Sequence, residues 1–194
     1  MRLMFLLVVA VFCNCKSKEN PNLTSIGNTA DLTVTLTSPM EPQQNPTTEY
    51  PYAVTVKDDQ NKAHSTDHIL PQPDKPTVMM FWLTTCNPCA RELKSITQHF
   101  DQWQQTVPFH LVAMSEDREE NYPAFVERIA NEKWPFAAYW DFSRQFKSLM
   151  PGSLNGLPQT FIFDKHGKMT WSKRGFLPGD EAMLFEQIKE AAKS

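Results

Sequence analysis

The sequence predicts an α/β domain built on a central mixed β-sheet flanked by helices, with a β-hairpin ahead of it. Three observations carry this expectation. The run Thr77 to Leu83 is almost wholly apolar and has the length of a strand buried on both faces. It leads into Cys86-Asn87-Pro88-Cys89 and then a stretch of good helix formers, which makes a strand, a turn and a helix in succession. Beyond that, strand-like and helix-like patterns alternate and close in a hairpin and a last helix.

Taken in order, Tyr52-Ala53-Val54-Thr55-Val56 alternates as a half-buried strand does, and Lys57 to Lys62 supplies turn chemistry, so a hairpin is expected before the main sheet. Pro71, Pro73 and Pro76 punctuate an irregular connection. After the strand at Thr77, Pro88 suits the first turn of a helix, where its missing N–H is not needed, and Leu93, Ile96 and Phe100 recur at helical spacing. A strand is expected from Phe109 to Met114, a helix from Tyr122 to Ala130, a short strand from Phe136 to Trp140 and a helical piece near Arg144 to Leu149. The segment Gly156-Leu157-Pro158-Gln159 marks a tight approach into the strand Thr160 to Phe163. Asp164 to Lys168 reads as a hairpin turn, Met169 to Trp171 as the return strand, and Pro178 to Lys193 as the closing helix. Trp82, Trp134 and Trp140 lie on or beside strands and most of them are read as core, with the lining of a substrate groove as the alternative.

The N-terminal quarter has a different character. Residues 1–15 form a signal-type segment, because the apolar run from Leu3 to Phe12 is far shorter than the roughly 20 residues a membrane-spanning helix needs. The run ends at Cys13-Asn14-Cys15 and passes into Lys16-Ser17-Lys18-Glu19-Asn20, an order that resembles a bacterial lipoprotein signal. Cys15 is the expected lipidated residue and Cys13 the alternative; an ordinary cleaved signal or an uncleaved anchor is the plainer reading. Residues 16–50 are rich in Asn, Thr, Pro and Gln and are expected to form a flexible polar tether, with one edge strand at 32–37. Residues 51–194 then form the folded domain. A net charge of -3, without a Lys/Arg run, argues against nucleic acid as a partner.

Of the four cysteines, two fall in the signal region and the other two are separated by two residues, so the domain carries one close pair and no disulfide framework. Thiol-disulfide exchange needs a thiolate that attacks and a second thiol near enough to resolve the mixed disulfide. At a helix N-terminus, unpaired backbone N–H groups and the positive end of the helix dipole favour a negative sulfur, which makes Cys86 the nucleophile. Cys89, one turn further in, is the resolving thiol. Half of a zinc site shares this spacing, but zinc requires two further ligands, and His64, His68, His99, His110 and His166 are scattered along the chain.

The segments Phe81 to Glu92, Gly156-Leu157-Pro158-Gln159-Thr160-Phe161-Ile162-Phe163-Asp164 and Gly167-Lys168 resemble the TlpA/ResA group of membrane-tethered thioredoxin-like proteins, within the AhpC/TSA-Redoxin-like superfamily. The likeness runs from about Tyr50 to Lys193. It implies a thioredoxin-like fold in which Pro158 is a cis-proline facing the dithiol and Leu157 offers its backbone to an extended substrate; an ordinary turn proline is the alternative. Thr85, Asn87 and Pro88 complete the expected substrate contacts.

Three positions depart from the family pattern. Met80 stands where thioredoxins place a buried Asp and this group often an Asn, Thr85 replaces the usual Trp before the first cysteine, and Lys94 takes the place of a helix proline, which should leave the helix straighter. Glu92 matches an acidic position of the group and is a candidate proton acceptor for Cys89, with an exposed helix carboxylate as the equal alternative. The resulting expectation is a thiol-disulfide oxidoreductase without a cofactor, exported to the cell envelope, monomeric and anchored on the periplasmic side. It would reduce disulfides of client proteins, such as cysteines destined for haem attachment, with a membrane thiol reductase as electron donor. The rival reading is a copper-handling or protein-binding module on the same fold; a peroxidase is disfavoured because Leu83 occupies the position of its usual Thr.

Overall fold

The strand Thr77–Trp82 (β3) is an interior strand of a seven-stranded sheet and explains its two-sided core. Side chains alternate faces along a strand. Val78, Met80 and Trp82 therefore join one buried cluster with Cys89, Leu93, Ile96, Phe125 and Ile188, while Met79 and Phe81 join another with Val56, Phe146, Phe161 and Phe163. Every residue of β3 is buried. Burying each of the large side chains here stabilises the fold by roughly 1.5–3 kcal/mol.

The computed structural model describes Tyr50, residues 52–70 and residues 74–194. The expected signal segment with Cys13 and Cys15, the edge strand at 32–37 and all of the tether at 16–50 except its last residue, Tyr50, lie outside the described residues. In chain order the remaining elements are β1 (Thr55–Lys57), β2 (Ala63–Ser65), α1 (Thr66–Ile69), α2 (Asn87–Thr106), β4 (His110–Ser115), α3 (Tyr122–Glu132), β5 (Ala137–Trp140), α4 (Phe146–Leu149), β6 (Gln159–Phe163), β7 (Met169–Arg174) and α5 (Asp180–Ala191). The sheet order is β2-β1-β5-β4-β3-β6-β7. β3 and β4 are parallel, as are β4 and β5, whereas β6 runs antiparallel to β3 and β7 antiparallel to β6. The sheet is mixed, as expected. Among the described residues, no helix is long and apolar enough to cross a membrane.

The N-terminal hairpin pairs Thr55 with Ser65 and Lys57 with Ala63. Its turn is held by Asp58, whose Oδ1 accepts the backbone N–H groups of Gln60 and Lys62, both at 2.9 Å. The ladder is shorter than the alternation of Tyr52 to Val56 suggested. Tyr52 and Val54 do point inward, but the Val54 N–H donates to the Thr66 hydroxyl and its carbonyl accepts from the Thr66 N–H, so a side chain replaces a strand there. Helix α1 and the 3-10 turns at Glu119–Asn121 and Pro151–Leu154 were not foreseen.

β7 extends to Arg174, beyond the expected Trp171, because polar side chains are compatible with an edge strand that buries one face only. The β6–β7 turn is closed by Asp164 Oδ1, which accepts from the N–H groups of His166 and Lys168 at 2.9 Å. Gly167 sits there at φ +82°, and its carbonyl receives the Tyr50 N–H at 2.8 Å. α2 runs unbroken for 20 residues and buries Leu93, Ile96 and Trp103. Lys94 leaves it without the break a proline would introduce. Trp82 and Trp140 are core residues; Trp134 is half-buried and packs edge-on against Trp82 at 5.2 Å.

Candidate active site

The end of β3 and the start of α2 meet at the cysteine pair. Cys86 caps the helix, its Sγ accepting the backbone N–H of Cys89 at 3.2 Å, and the first turn of α2 holds no acidic side chain. Pro88 stands in that first turn, where it leaves no helical N–H unmet. Cys86 and Cys89 are joined as a disulfide. Cys86 is partly exposed, whereas Cys89 is fully buried among the core residues that include Met80. The two sulfurs therefore differ in access, in the sense the helix position predicted.

Across from them lies the loop before β6. Cys86 Sγ is 3.6 Å from the Leu157 carbonyl oxygen, and the Leu157–Pro158 peptide is cis. Neighbouring bonds brace this loop: the Gln159 amide donates to the carbonyls of Asn155 (3.2 Å) and Gly156 (3.0 Å), and the Gly175 N–H donates to the Pro158 carbonyl (2.7 Å). Thr85 and Asn87 are exposed and Pro88 half-buried, so they form the outer rim. Thr84 and Thr85 also wall one side of a polar cleft of about 310 Å³, whose other side is Asn121, Glu127, Arg128 and Asn131.

Glu92 is not the exposed helix carboxylate that was the alternative. It is 6% exposed. Residues three apart on a helix share a face, so Glu92 follows Cys89 into the interior. Thr160 on β6 donates its hydroxyl to Glu92 Oε1 at 2.8 Å, while Oε2 has no hydrogen-bond partner. Burial pushes the Glu92 carboxyl up to about 7, against the Thr160 bond and the positive charge of Lys173. Lys173 is itself held by Asp180 at 2.6 Å.

Two features of this site carried no sequence signal. Asp117, fully buried just past β4, accepts both the N–H and the hydroxyl of Thr84, and the Arg128 guanidinium donates to the Thr84 carbonyl. Glu116 and Asp141 meet nearby as a buried acidic pair. Burial first and then Asp141 push Glu116 up to about 8, and burial raises Asp141 as well, with Arg144 3.8 Å from Glu116. Nothing in the local spacing announced these contacts, which join residues far apart in the chain.

A disulfide at the head of a helix, set against a cis-proline loop on a mixed sheet with β3 among its interior strands, defines a thioredoxin-like thiol-disulfide oxidoreductase. The particular family follows from comparison: the AhpC/TSA family model matches residues 47–172, and the chain belongs to that family. Among solved structures it is similar to a thioredoxin-like protein from Porphyromonas gingivalis, at 30% identity and a TM-score of 0.63, covering 73% of this chain and 91% of that one. The fold is shared with a thiol:disulfide interchange protein of the thioredoxin family from Chlorobium tepidum (19% identity, TM-score 0.55, 74% and 97% covered). It is also shared with StoA from Bacillus subtilis (18% identity, TM-score 0.54, 71% and 98% covered). A comparison with curated protein sequences finds no match.

Proposed function

We propose that Cys86 and Cys89 are the working dithiol and that the protein reduces disulfides of client proteins in the bacterial cell envelope. The observation that carries this reading is the asymmetry of the pair: Cys86 is reachable and capped by a helix N–H, while Cys89 is sealed beneath it. In the reducing direction, the Cys86 thiolate attacks one sulfur of a client disulfide, forming a Cys86–client disulfide and expelling the other client sulfur as a thiolate. Cys89 gives its proton to Glu92 and attacks Cys86 Sγ. The Cys86–Cys89 disulfide forms, the client's second thiolate leaves, and two electrons have passed to the client.

Glu92 suits the proton step because burial brings its carboxyl near neutrality, where it can both take and release a proton. It stands in for the carboxylate that Met80 does not supply. Leu157 offers its carbonyl beside Cys86, and the client backbone would lie along Leu157 and Pro158, flanked by Thr85, Asn87 and Pro88. A membrane thiol reductase would return the electrons. The apolar run before Cys15 supports export, with Cys15, or alternatively Cys13, as a lipid anchor and haem-attachment cysteines among the clients.

The test is reduction of insulin disulfides by the purified domain. Cys86→Ser should abolish it; full activity in that variant would sink the assignment. Stoichiometric Cu(I) retention without disulfide reduction would favour the copper-handling reading instead. Equilibration of the pair with glutathione measures its reduction potential and hence the direction of exchange, and radiolabelled palmitate in cells producing the full chain or Cys15→Ala tests the anchor.

A further inference from the structure

The turn between β3 and the reactive helix is short and is gripped from outside. The Cys86 N–H returns to the Leu83 carbonyl at 3.1 Å, which makes Leu83 to Cys86 a hydrogen-bonded turn. Thr84, within it, has every polar group engaged. Its N–H donates to Asp117 Oδ2 at 2.9 Å, its hydroxyl to Asp117 Oδ1 at 2.9 Å, and its carbonyl accepts from Arg128 Nη2 at 3.3 Å.

Asp117 is fixed in turn. Its Oδ2 also accepts the Ser115 hydroxyl at 2.8 Å, its N–H donates to Ser115 Oγ at 3.1 Å, and its carbonyl receives Trp140 Nε1 at 2.7 Å. Trp82, Ser115 and Trp140 are register partners at the ends of the three parallel strands β3, β4 and β5. The grip therefore ties the turn to the C-terminal ends of three interior strands of the sheet. Hydrogen bonds to a carboxylate are stronger than neutral ones, and a carboxylate with no exposure costs most when a donor is removed.

We infer that Asp117 is a positioning residue for thiol-disulfide exchange: by clamping Thr84, it holds Cys86 Sγ over the N–H groups at the head of α2. The inference rests on the reading of Cys86 as the attacking sulfur. Helix N–H groups stabilise a thiolate only while the sulfur stays within reach of them. Cys86 carries that charge in the reduced protein and not in the disulfide. Loosening the turn thus penalises the reduced state and slows attack.

Asp117→Asn keeps the clamp, because its Oδ1 can accept from the Thr84 N–H and the Ser115 hydroxyl while its amide donates to the Thr84 oxygen, but it removes the charge. Asp117→Ala removes both. Relative to Asp117→Asn, the alanine variant should react with iodoacetamide at Cys86 about tenfold more slowly at neutral pH, and its glutathione equilibrium should move about tenfold toward the disulfide, equal to about 30 mV. Thr84→Val, which keeps the backbone bond and loses one arm, should shift both in the same direction by roughly threefold. This variant also covers the case in which Asp117→Ala does not fold, since Thr84 is half-exposed.

Unchanged Cys86 reactivity and potential in folded Asp117→Ala and Thr84→Val would overturn the inference. So would equal effects of Asp117→Ala and Asp117→Asn, because charge alone would then account for them. Wild-type protein that fails to reduce insulin, or Cys86→Ser that succeeds, removes the underlying functional reading instead, so the two failures are told apart.

Discussion

Thr160 on β6 donates its hydroxyl to Glu92 on α2 at 2.8 Å, and this single bond joins the strand that follows the cis-proline to the helix that Cys86 caps and that carries Cys89. It orients a buried carboxyl on the same helix face as Cys89, with its second oxygen left unpaired. The chemistry proposed for Glu92 follows from that placement.

If Glu92 takes the Cys89 proton, resolution of the mixed disulfide should accelerate as pH rises through about 7 in the wild type. In Glu92→Gln the step should be slower by about 100-fold and lose that inflection. Rapid-mixing kinetics of mixed-disulfide decay across pH 5–9 measures this. An unchanged profile would remove Glu92 from the proton route.

The same group has a stability consequence. Its folded-state value lies above the ordinary carboxylate range, so its contribution is present below the unfolded value and lost as pH rises through about 7. Glu92→Gln should therefore gain on the wild type in thermal stability above pH 7, with the difference shrinking at pH 5. Each pH unit of separation is worth about 1.4 kcal/mol at most.

The Glu116–Asp141 pair should act in the same direction, with Glu116 pushed up to about 8 by burial and by Asp141. Urea midpoints of the wild type should fall between pH 5 and pH 9. Glu116→Gln, which removes the titrating carboxyl at similar size, should flatten that slope. Identical slopes in the two proteins would show that the pair does not titrate in this range.

If Cys86 attacks and Cys89 resolves, as proposed, Cys89→Ser leaves Cys86 with no resolving partner. Mixed disulfides with client proteins should accumulate in cells producing it and vanish on reduction, as read on non-reducing gels. Cys86→Ser should trap none.

At the β6–β7 turn, Gly167 adopts φ +82°, and a Cβ there would overlap the Tyr50 carbonyl oxygen. Gly167→Ala should cost about 2 kcal/mol or more, because it adds a left-handed backbone penalty to a backbone clash. Calorimetry should show Tm lower by about 4–8 °C.

Local chemistry made much of this protein legible in its sequence. The apolar run at β3, the proline after Cys86 and the Asp164–Lys168 turn each specify their element through contacts within a few residues, and they led to a strand, a helix and a hairpin where those elements stand. The asymmetry of Cys86 and Cys89 was readable for the same reason, since a helix N-terminus imposes it. Glu92 was ambiguous, because a helix carboxylate is exposed or buried according to what packs on it, and only Thr160 and the β6 strand, 68 residues away, decide that. Asp117 and Arg128 lay wholly beyond a sequence reading. Their grip on Thr84 depends on parallel strands and a crossover helix bringing residues 33 and 44 positions apart to one turn, and no local preference encodes such a meeting.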